Sequence, residues 1–370
     1  MKKLYLVDYI GVSSGVRYYH SALEEQIVKI GNVDFKVLSN YAVNENEKPF
    51  LPVIFNGGKI SKIWSLLTAY SRLSRHVKKH RDAIYMFECY GSMVDIVLMP
   101  VVLRAKNSIL DIHDPIMKGK ENNSFILKHL SKNYRRCKML VYHAESALKS
   151  VKGLGFQGEA IYVPHFSYNL SRDYNENSIS KEVRNSVQRG KTNILFFGNI
   201  NYSKGPDILL KCIKELPKNS ENHLNFIMAG KISDDSIKGY DISMPALHTV
   251  FRTINDDELK YLYGNADYMI MPYRETYQSG VLEMAFRFRV PVIVSDIPYF
   301  KSVIDKYPSF GIITGTDIQS MQSTLISLTE NNMDCFYKNS DLDNYSNRKE
   351  FVLFREQLNI FISNNNMNSH

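Results

Sequence analysis

The chain has 370 residues, 44% of them hydrophobic, and 46 Lys and Arg against 38 Asp and Glu give it a formal charge of +8. That length exceeds one ordinary core, so two domains are expected; no run approaches the roughly 20 apolar residues a membrane span needs, and the opening MKKLYLVDYIG has neither the length nor the cleavage site of a signal peptide. The basic balance suits a polyanionic partner: nucleic acid, an anionic membrane face or a phosphorylated substrate. Cys89, Cys137, Cys212 and Cys335 lie far apart without a CxxC, which argues against a disulfide framework or zinc knuckle and for reduced cytoplasmic thiols.

Residues 3–8 read as a buried strand, followed by the small-residue loop Gly11-Val12-Ser13-Ser14-Gly15. A helix over 16–30 comes next, with Tyr19, Leu23, Ile27 and Ile30 on one face. Gly31 ends it, and 34–38 is the next strand. This opening is Rossmann-like, but Gly11 and Gly15 do not spell GxGxxG. The loop reads as a tight turn that also suits close approach of a ligand. Further strands are expected at 83–87, 108–112, 139–142 and 160–163, with helical patterns between most of them, as a parallel sheet requires. Their ends deliver Glu88, His113-Asp114-Pro115, His143 and Pro164-His165. Open α/β sheets bind ligands beyond the carboxyl ends of their strands, so these are candidate site positions.

Two basic segments interrupt the pattern. Residues 59–81 carry Lys59, Lys62, Arg72, Arg75, Lys78, Lys79 and Arg81 among Ile60, Ile63, Trp64, Leu66, Leu67, Tyr70 and Leu73. Residues 118–138 carry Lys118, Lys120, Lys128, Lys132, Arg135, Arg136 and Lys138 around Phe125, Ile126, Leu127 and Leu130. Each fits either a helix lying on an anionic membrane surface or an ordinary solvated helix packed on the sheet. Nucleic acid fits less well, because no recognition-helix or aromatic-plus-basic strand pattern appears.

Residues 169–191 are polar and mark a boundary. A second series of strands starts at 193–198, and the polar loop Asn199-Ile200-Asn201-Tyr202-Ser203-Lys204-Gly205 leads into a helix with Pro206 in its first turn. Strands follow at 224–230 and 248–251. Asn255 with Glu258 three residues on reads as a capping box, which assigns Asp256, Asp257 and Glu258 to helix-end charge rather than to a metal. The stretch 271–296 (MPYRETYQSGVLEMAFRFRVPVIVSD) reads as loop, helix and strand, with Glu275 and Glu283 flanking a helix mouth at Ser279-Gly280. Helix N-termini present free N–H groups and are ready anion sites. Residues 312–313 read as a last strand and 348–362 as a long helix. Asp341-Leu342-Asp343 spells DxD, but outside any nucleotide-binding context, so no metal site is assigned.

With these residues in hand, the chain resembles the GT-B glycosyltransferases, specifically the retaining family 4. Glu275 and Glu283 match that family's E-x7-E motif, Pro291-Val292-Ile293-Val294-Ser295-Asp296 its trailing strand, and Phe197-Gly198 with Lys204-Gly205 its phosphate-reading loop. Gly11 to Gly15 (with Ser13 and Ser14) and His113-Asp114 sit where the family keeps a glycine loop and a donor-side histidine. The resemblance implies two Rossmann-like domains facing across a cleft: 1–170 on the acceptor side, a linker at 171–191, 192–344 binding a nucleotide sugar, and 345–370 as a helix and tail crossing back.

It also implies roles. Lys204, with N–H groups at Ser279, Gly280 and Val281, would offset the charge on the departing diphosphate beside Gly198 and Asn199. Glu283 would accept the ribose hydroxyls, Glu275 would hold the donor sugar, Phe251, Arg252, Thr253 and Ile254 would lie by the base, and His113 would reach the transferred sugar. Transfer would retain configuration by front-face departure, need no metal or cofactor, and place the protein at the cytoplasmic membrane face with a glycan or polyprenyl-linked acceptor and no nucleic-acid partner. The family's loop arginine is Asn199 here, so half of the cationic clamp is missing or comes from Arg274 or Arg252; its loop glycine is Gln278, with Gly280 in its place. Two other readings stay open: a sugar-nucleotide epimerase of the same fold and a non-catalytic nucleotide-sugar-binding subunit.

Overall fold

The computed structural model describes residues 1–11, 15–42, 47–117, 120–218, 222–328 and 335–364; Ser13, Ser14 and Lys118 of the sequence-derived sites lie outside them. The chain divides into two compact units, Met1–Tyr168 with Arg348–His370, and Asn169–Asn347.

The first unit alternates strand and helix throughout: β1 (Lys2–Val7), α1 (Val16–Val28), β2 (Val33–Leu38), α2 (Lys59–Lys79), β3 (Ile84–Cys89), α3 (Met93–Val102), β4 (Asn107–Ile112), α4 (Ser124–Tyr134), β5 (Met139–Tyr142), α5 (Glu145–Gly153) and β6 (Glu159–Tyr162). All six strands pair in parallel in the order β2-β1-β3-β4-β5-β6. Parallel strands covered on both faces are apolar at consecutive positions. Leu4, Leu6, Val7, Ile84, Met86, Phe87, Ile109 and Leu110 accordingly have no exposed surface. Each such side chain stabilises the unit by about 1.5–3 kcal/mol relative to exposure. Helix α3 packs between α2 and α4. The expected strand at 83–87 runs on to Cys89, which places Glu88 inside β3 rather than beyond it.

The second unit holds α6 (Lys181–Ser186), β7 (Thr192–Phe197), α7 (Pro206–Glu215), β8 (Leu224–Ala229), β9 (Leu247–Val250), α8 (Asp256–Gly264), β10 (Tyr268–Met271), α9 (Gly280–Phe288), β11 (Val292–Ser295), α10 (Pro298–Ile304), β12 (Gly311–Thr314), α11 (Ile318–Ser327) and α12 (Asn339–Ser346). Its parallel sheet runs β12-β11-β10-β7-β8-β9. The expected capping box opens α8: Asn255 accepts from the Glu258 amide, and Glu258 reaches back to the Asn255 amide. The apolar core gathers Ile194, Phe196, Leu209, Phe226, Met228, Ile270 and Ile293 from five elements.

The last helix, α13 (Lys349–Asn364), belongs to the first unit and buries Phe354, Leu358 and Ile362, four residues apart on one face. Arg348, just before it, donates to the His165 carbonyl at 3.2 Å and to Ser167 Oγ.

In each sheet the strand order reverses once, between β1 and β3 in the first unit and between β10 and β7 in the second. Such a reversal leaves a crevice at the carboxyl ends of the two strands, because their following connections leave in opposite directions.

Candidate functional site

At the reversal in the second unit, β7 hands over to Gly198 and Asn199, and β10 to Pro272, Tyr273, Arg274 and Glu275. The two loops interlock through glycines. Gly205 has φ 64°, and a Cβ there would lie 2.0 Å from the Pro272 carbonyl oxygen. Gly230, after β8, has φ 140°, and a Cβ on it would lie 1.9 Å from the Gly198 oxygen. Only glycine allows both the left-handed backbone and these approaches.

Gly198 itself (φ 107°) marks the site: a Cβ there would meet Lys204 Nζ at 2.7 Å and Val281 Cγ2 at 3.3 Å. The Lys204 ammonium therefore stands over Gly198 and beside the first turn of α9. It also lies 5.3 Å from the Tyr273 ring centroid. The buried Ser279 is the N-cap of α9; its Oγ accepts from the Leu282 amide at 3.2 Å, and Gly280 and Val281 are the first two helical residues. First-turn amides and the positive end of the helix dipole favour an anion, and Lys204 adds a point charge at the same place.

The two glutamates differ in setting. Glu275 is exposed on the loop. Glu283 is buried within α9, and Tyr345 from α12 donates its hydroxyl to Glu283 Oε2. Tyr345 sits edge-on to Phe286 and Phe310. Asp341 anchors the same helix by accepting from the Ser309 amide and hydroxyl at 2.8 and 2.7 Å. The DxD pattern thus has a structural use for its first aspartate.

Both arginines proposed to replace the missing clamp have carboxylate partners. Arg274 forms a fork with Asp207 at 2.8 and 2.7 Å, donates to the Tyr202 carbonyl at 2.7 Å and lies over the Tyr202 ring. Arg252 grips Glu258 with two bonds of 2.7 Å and also reaches Glu182 and Ser180 Oγ. These bonds push Arg252 further above its ordinary range and hold Glu258 down at about 2. Arg274 works as a tie between the two loops, and Arg252 as a tie from the turn after β9 to α8. Thr253 beside it is exposed and Ile254 half-buried.

In the first unit the carboxyl ends of the strands form a row of buried polar side chains. In sheet order it runs Ser39 and Asn40, Asp8, Glu88, His113, His143 and His165. Asp8 accepts from the Ile10 and Gly11 amides, Ser39 Oγ and the Tyr90 hydroxyl. Tyr90 also donates to Glu88 Oε2 at 2.6 Å and stacks on His113, centroids 5.1 Å apart. Glu88 stands between two imidazoles, its Oε1 2.8 Å from His20 Nε2 and its Oε2 3.7 Å from His113 Nε2. Burial opposes charge on His113, but the neighbouring Glu88 carboxylate outweighs it and pushes His113 up to about 9. Burial likewise works against ionised Glu88, and His20 and His113 override it and hold the carboxyl well below its usual range.

Further along, Asp111 accepts from Tyr19 at 2.7 Å and lies 3.0 Å from His143. Two triplets, Asp8-His20-Glu88 and Asp111-His113-His143, bring ligand-type atoms within 4.8 Å of one another, and their side chains contact one another and nearby hydroxyls and amides. Gly11 is packed shut: a Cβ there would lie within 2.8 Å of Tyr41, Ser39 and Asn40. Gly15 opens onto α1, with Tyr18 nearest at 3.7 Å.

Residues 179–349, nearly all of the second unit, match the family model described as Glycosyl transferases group 1. Sucrose-phosphate synthase from Thermosynechococcus elongatus superposes with a TM-score of 0.70 at 13% identity, over 97% of this chain and 98% of that one. HepE from Anabaena, solved in complex with UDP-glucose, gives 0.67 at 10% identity, over 98% and 100%. The fold is GT-B.

A UDP-forming α,α-trehalose-phosphate synthase from Burkholderia xenovorans shares the GT-B fold at TM-score 0.64 and 11% identity, over 98% of this chain and 99% of that one. No curated protein matches the chain in sequence. Within this GT-B frame, Gly198, Lys204, Ser279, Gly280 and Val281 come together at the β7/β10 reversal. Asp207 and Tyr345 also belong to that neighbourhood, yet no short-range pattern marks either one. Asp207 is one residue into α7 after a helix-starting proline, a position that alone suggests only dipole charge. Tyr345 reaches Glu283 through tertiary packing across 62 positions.

Proposed function

We propose that the chain is a retaining, family 4-type glycosyltransferase that moves a sugar from a nucleotide-sugar donor to a glycan acceptor carried on a lipid. The observation that carries this reading is the Lys204 ammonium standing over Gly198 beside the first turn of α9. That pairing of a cation with helix N–H groups suits the diphosphate of a donor, whose negative charge grows as the glycosidic bond breaks. Lys204 and the Gly280 and Val281 amides hold the leaving diphosphate. Glu283, fixed by Tyr345, accepts the ribose hydroxyls, and the exposed Glu275 binds hydroxyls of the sugar. The acceptor hydroxyl attacks from the face the diphosphate leaves, and its proton passes to a phosphate oxygen, so neither glutamate forms a bond to carbon.

The match of residues 179–349 to a glycosyltransferase family and the nucleotide sugar named in the HepE complex support the donor class. The acceptor class rests on the acid-free basic segment at 59–81. A transfer assay with a panel of nucleotide sugars and polyprenyl-linked glycans tests the reading, with the anomer of the product read by NMR. A product with the donor's anomeric configuration is expected. An isomerised donor in the absence of acceptor, or donor binding with no transfer to any acceptor, would overturn it in favour of an epimerase or a binding subunit.

A further inference from the structure

Helix α2 leaves its apolar residues outside the fold. Ile60, Ile63, Trp64 and Leu67 are 73, 59, 66 and 54% exposed, and the spacing i, i+3, i+4, i+7 puts them on one face. All of residues 59–64 are exposed, so the first turns of the helix project with no packed side; its buried residues, Ala69, Leu73 and Val77, begin only in the third turn. Phe55, just ahead of the helix, is exposed as well. A row of four large apolar side chains on a solvated helix needs a partner, because single exposed hydrophobics are ordinary but contiguous ones are not.

The charge around this row selects the partner. Segment 59–81 holds seven Lys and Arg and no Asp or Glu. Lys59 and Lys62 alternate with Ile60 and Ile63 on the projecting turns, and Lys78, Lys79 and Arg81 follow at the far end. Helix α4, in the other basic segment, turns its apolar residues differently: Ile126 and Leu130 are buried and Phe125 alone of its large apolar side chains is exposed, so α4 is a packed helix with Lys128 and Lys132 on its solvated side. The two basic segments are thus distinguished by packing that composition does not reveal.

We infer that the face Ile60-Ile63-Trp64-Leu67 of α2 inserts into the surface of an anionic phospholipid bilayer, with Lys59 and Lys62 at the headgroup phosphates. This deepens the lipid-linked acceptor of the proposed function, and it stands or falls without the donor site. Trp64 is the single tryptophan of the chain, so tryptophan emission reports on this face alone. With vesicles containing phosphatidylglycerol, emission should shift to the blue and the protein should sediment with the lipid. With pure phosphatidylcholine vesicles, or in high salt, both effects should fall away.

Replacing Lys59 and Lys62 with Gln should weaken binding to the anionic vesicles roughly 30-fold, given about 1 kcal/mol per basic residue at such a surface. Replacing Ile60, Ile63 and Leu67 with Gln should abolish the blue shift and leave the melting temperature unchanged, since those side chains are exposed. Equal binding to neutral and anionic vesicles would overturn the inference. So would a blue shift without lipid that grows with protein concentration, which would assign the face to a second copy of the chain. Calorimetric titration of the same variants with a nucleotide sugar separates the readings: loss of lipid binding with donor affinity intact indicts only the membrane face, and the reverse only the donor site.

Discussion

Arg274 holds Asp207 in a two-bond fork at 2.8 and 2.7 Å, and through it the loop after β10 is tied to the helix that follows Lys204. The pair is largely buried, with 26% of the arginine and 10% of the aspartate side chain exposed. Bidentate charge-assisted bonds of this kind exceed a surface ion pair in strength and fix orientation. Asp207→Ala should lower stability by about 1–3 kcal/mol in urea unfolding, and nucleotide-sugar binding should weaken with it. Intact donor affinity in a destabilised Asp207→Ala variant would confine the pair to a structural role.

Gly198→Ala tests the close approach directly. Its left-handed backbone costs a Cβ-bearing residue about 1–2 kcal/mol, and the new methyl would displace Lys204 Nζ, 2.7 Å away. The variant should fold, melt a few degrees lower and lose donor binding disproportionately. Gly230→Ala should be far more damaging to the fold, because its Cβ would strike a backbone oxygen at 1.9 Å rather than the end of a flexible side chain.

Tyr345→Phe removes the hydroxyl that serves buried Glu283. A buried carboxylate deprived of a donor costs about 1–3 kcal/mol. The variant should unfold at correspondingly lower urea concentration, and Glu283→Gln made on top of it should recover part of the loss, because a neutral amide is less costly to bury. Strict additivity of the two changes would show that the hydroxyl and carboxylate are uncoupled.

The legible part of this protein was its sheets. Runs such as Ile194-Leu195-Phe196 and Val292-Ile293-Val294 lie buried on both faces, and that situation writes itself into consecutive residues. The capping box at Asn255 and Glu258 was equally readable, since both partners sit within one turn. Partners distant in sequence were not: Arg252 and Arg274 look like spare cations until Glu182 and Asp207 are seen across them. The same holds for the basic segments 59–81 and 118–138: the helix in the first exposes its apolar row, and the helix in the second buries Ile126 and Leu130. The sequence pattern ends this strand at Phe87, and the extra length of β3 puts Glu88 inside it, between His20 and His113.

That cluster makes a pH prediction. His113 is raised from 6.5 to about 9 in the folded state, against burial, by Glu88. A raised pKa means the folded form binds the proton more tightly. The stabilisation is therefore fully present below about 6.5 and is lost as pH rises through about 9. Each proton bound differently in this window contributes a slope of about 1.4 kcal/mol per pH unit. Urea unfolding of the wild type should show stability falling over this range, and Glu88→Gln should flatten the fall while lowering stability at pH 6. An unchanged slope in Glu88→Gln would dissociate the histidine from the carboxylate.

The central proposal is that Lys204 over Gly198, at the mouth of α9, receives the diphosphate of a nucleotide sugar. Calorimetric titration of Lys204→Ala with the nucleotide sugar that binds the wild type best measures this most directly, with the melting temperature recorded alongside. Loss of one charge-assisted contact of about 1.5–3 kcal/mol should weaken binding roughly 10- to 100-fold with the melting temperature unchanged. Wild-type affinity in Lys204→Ala would contradict the assignment of this site.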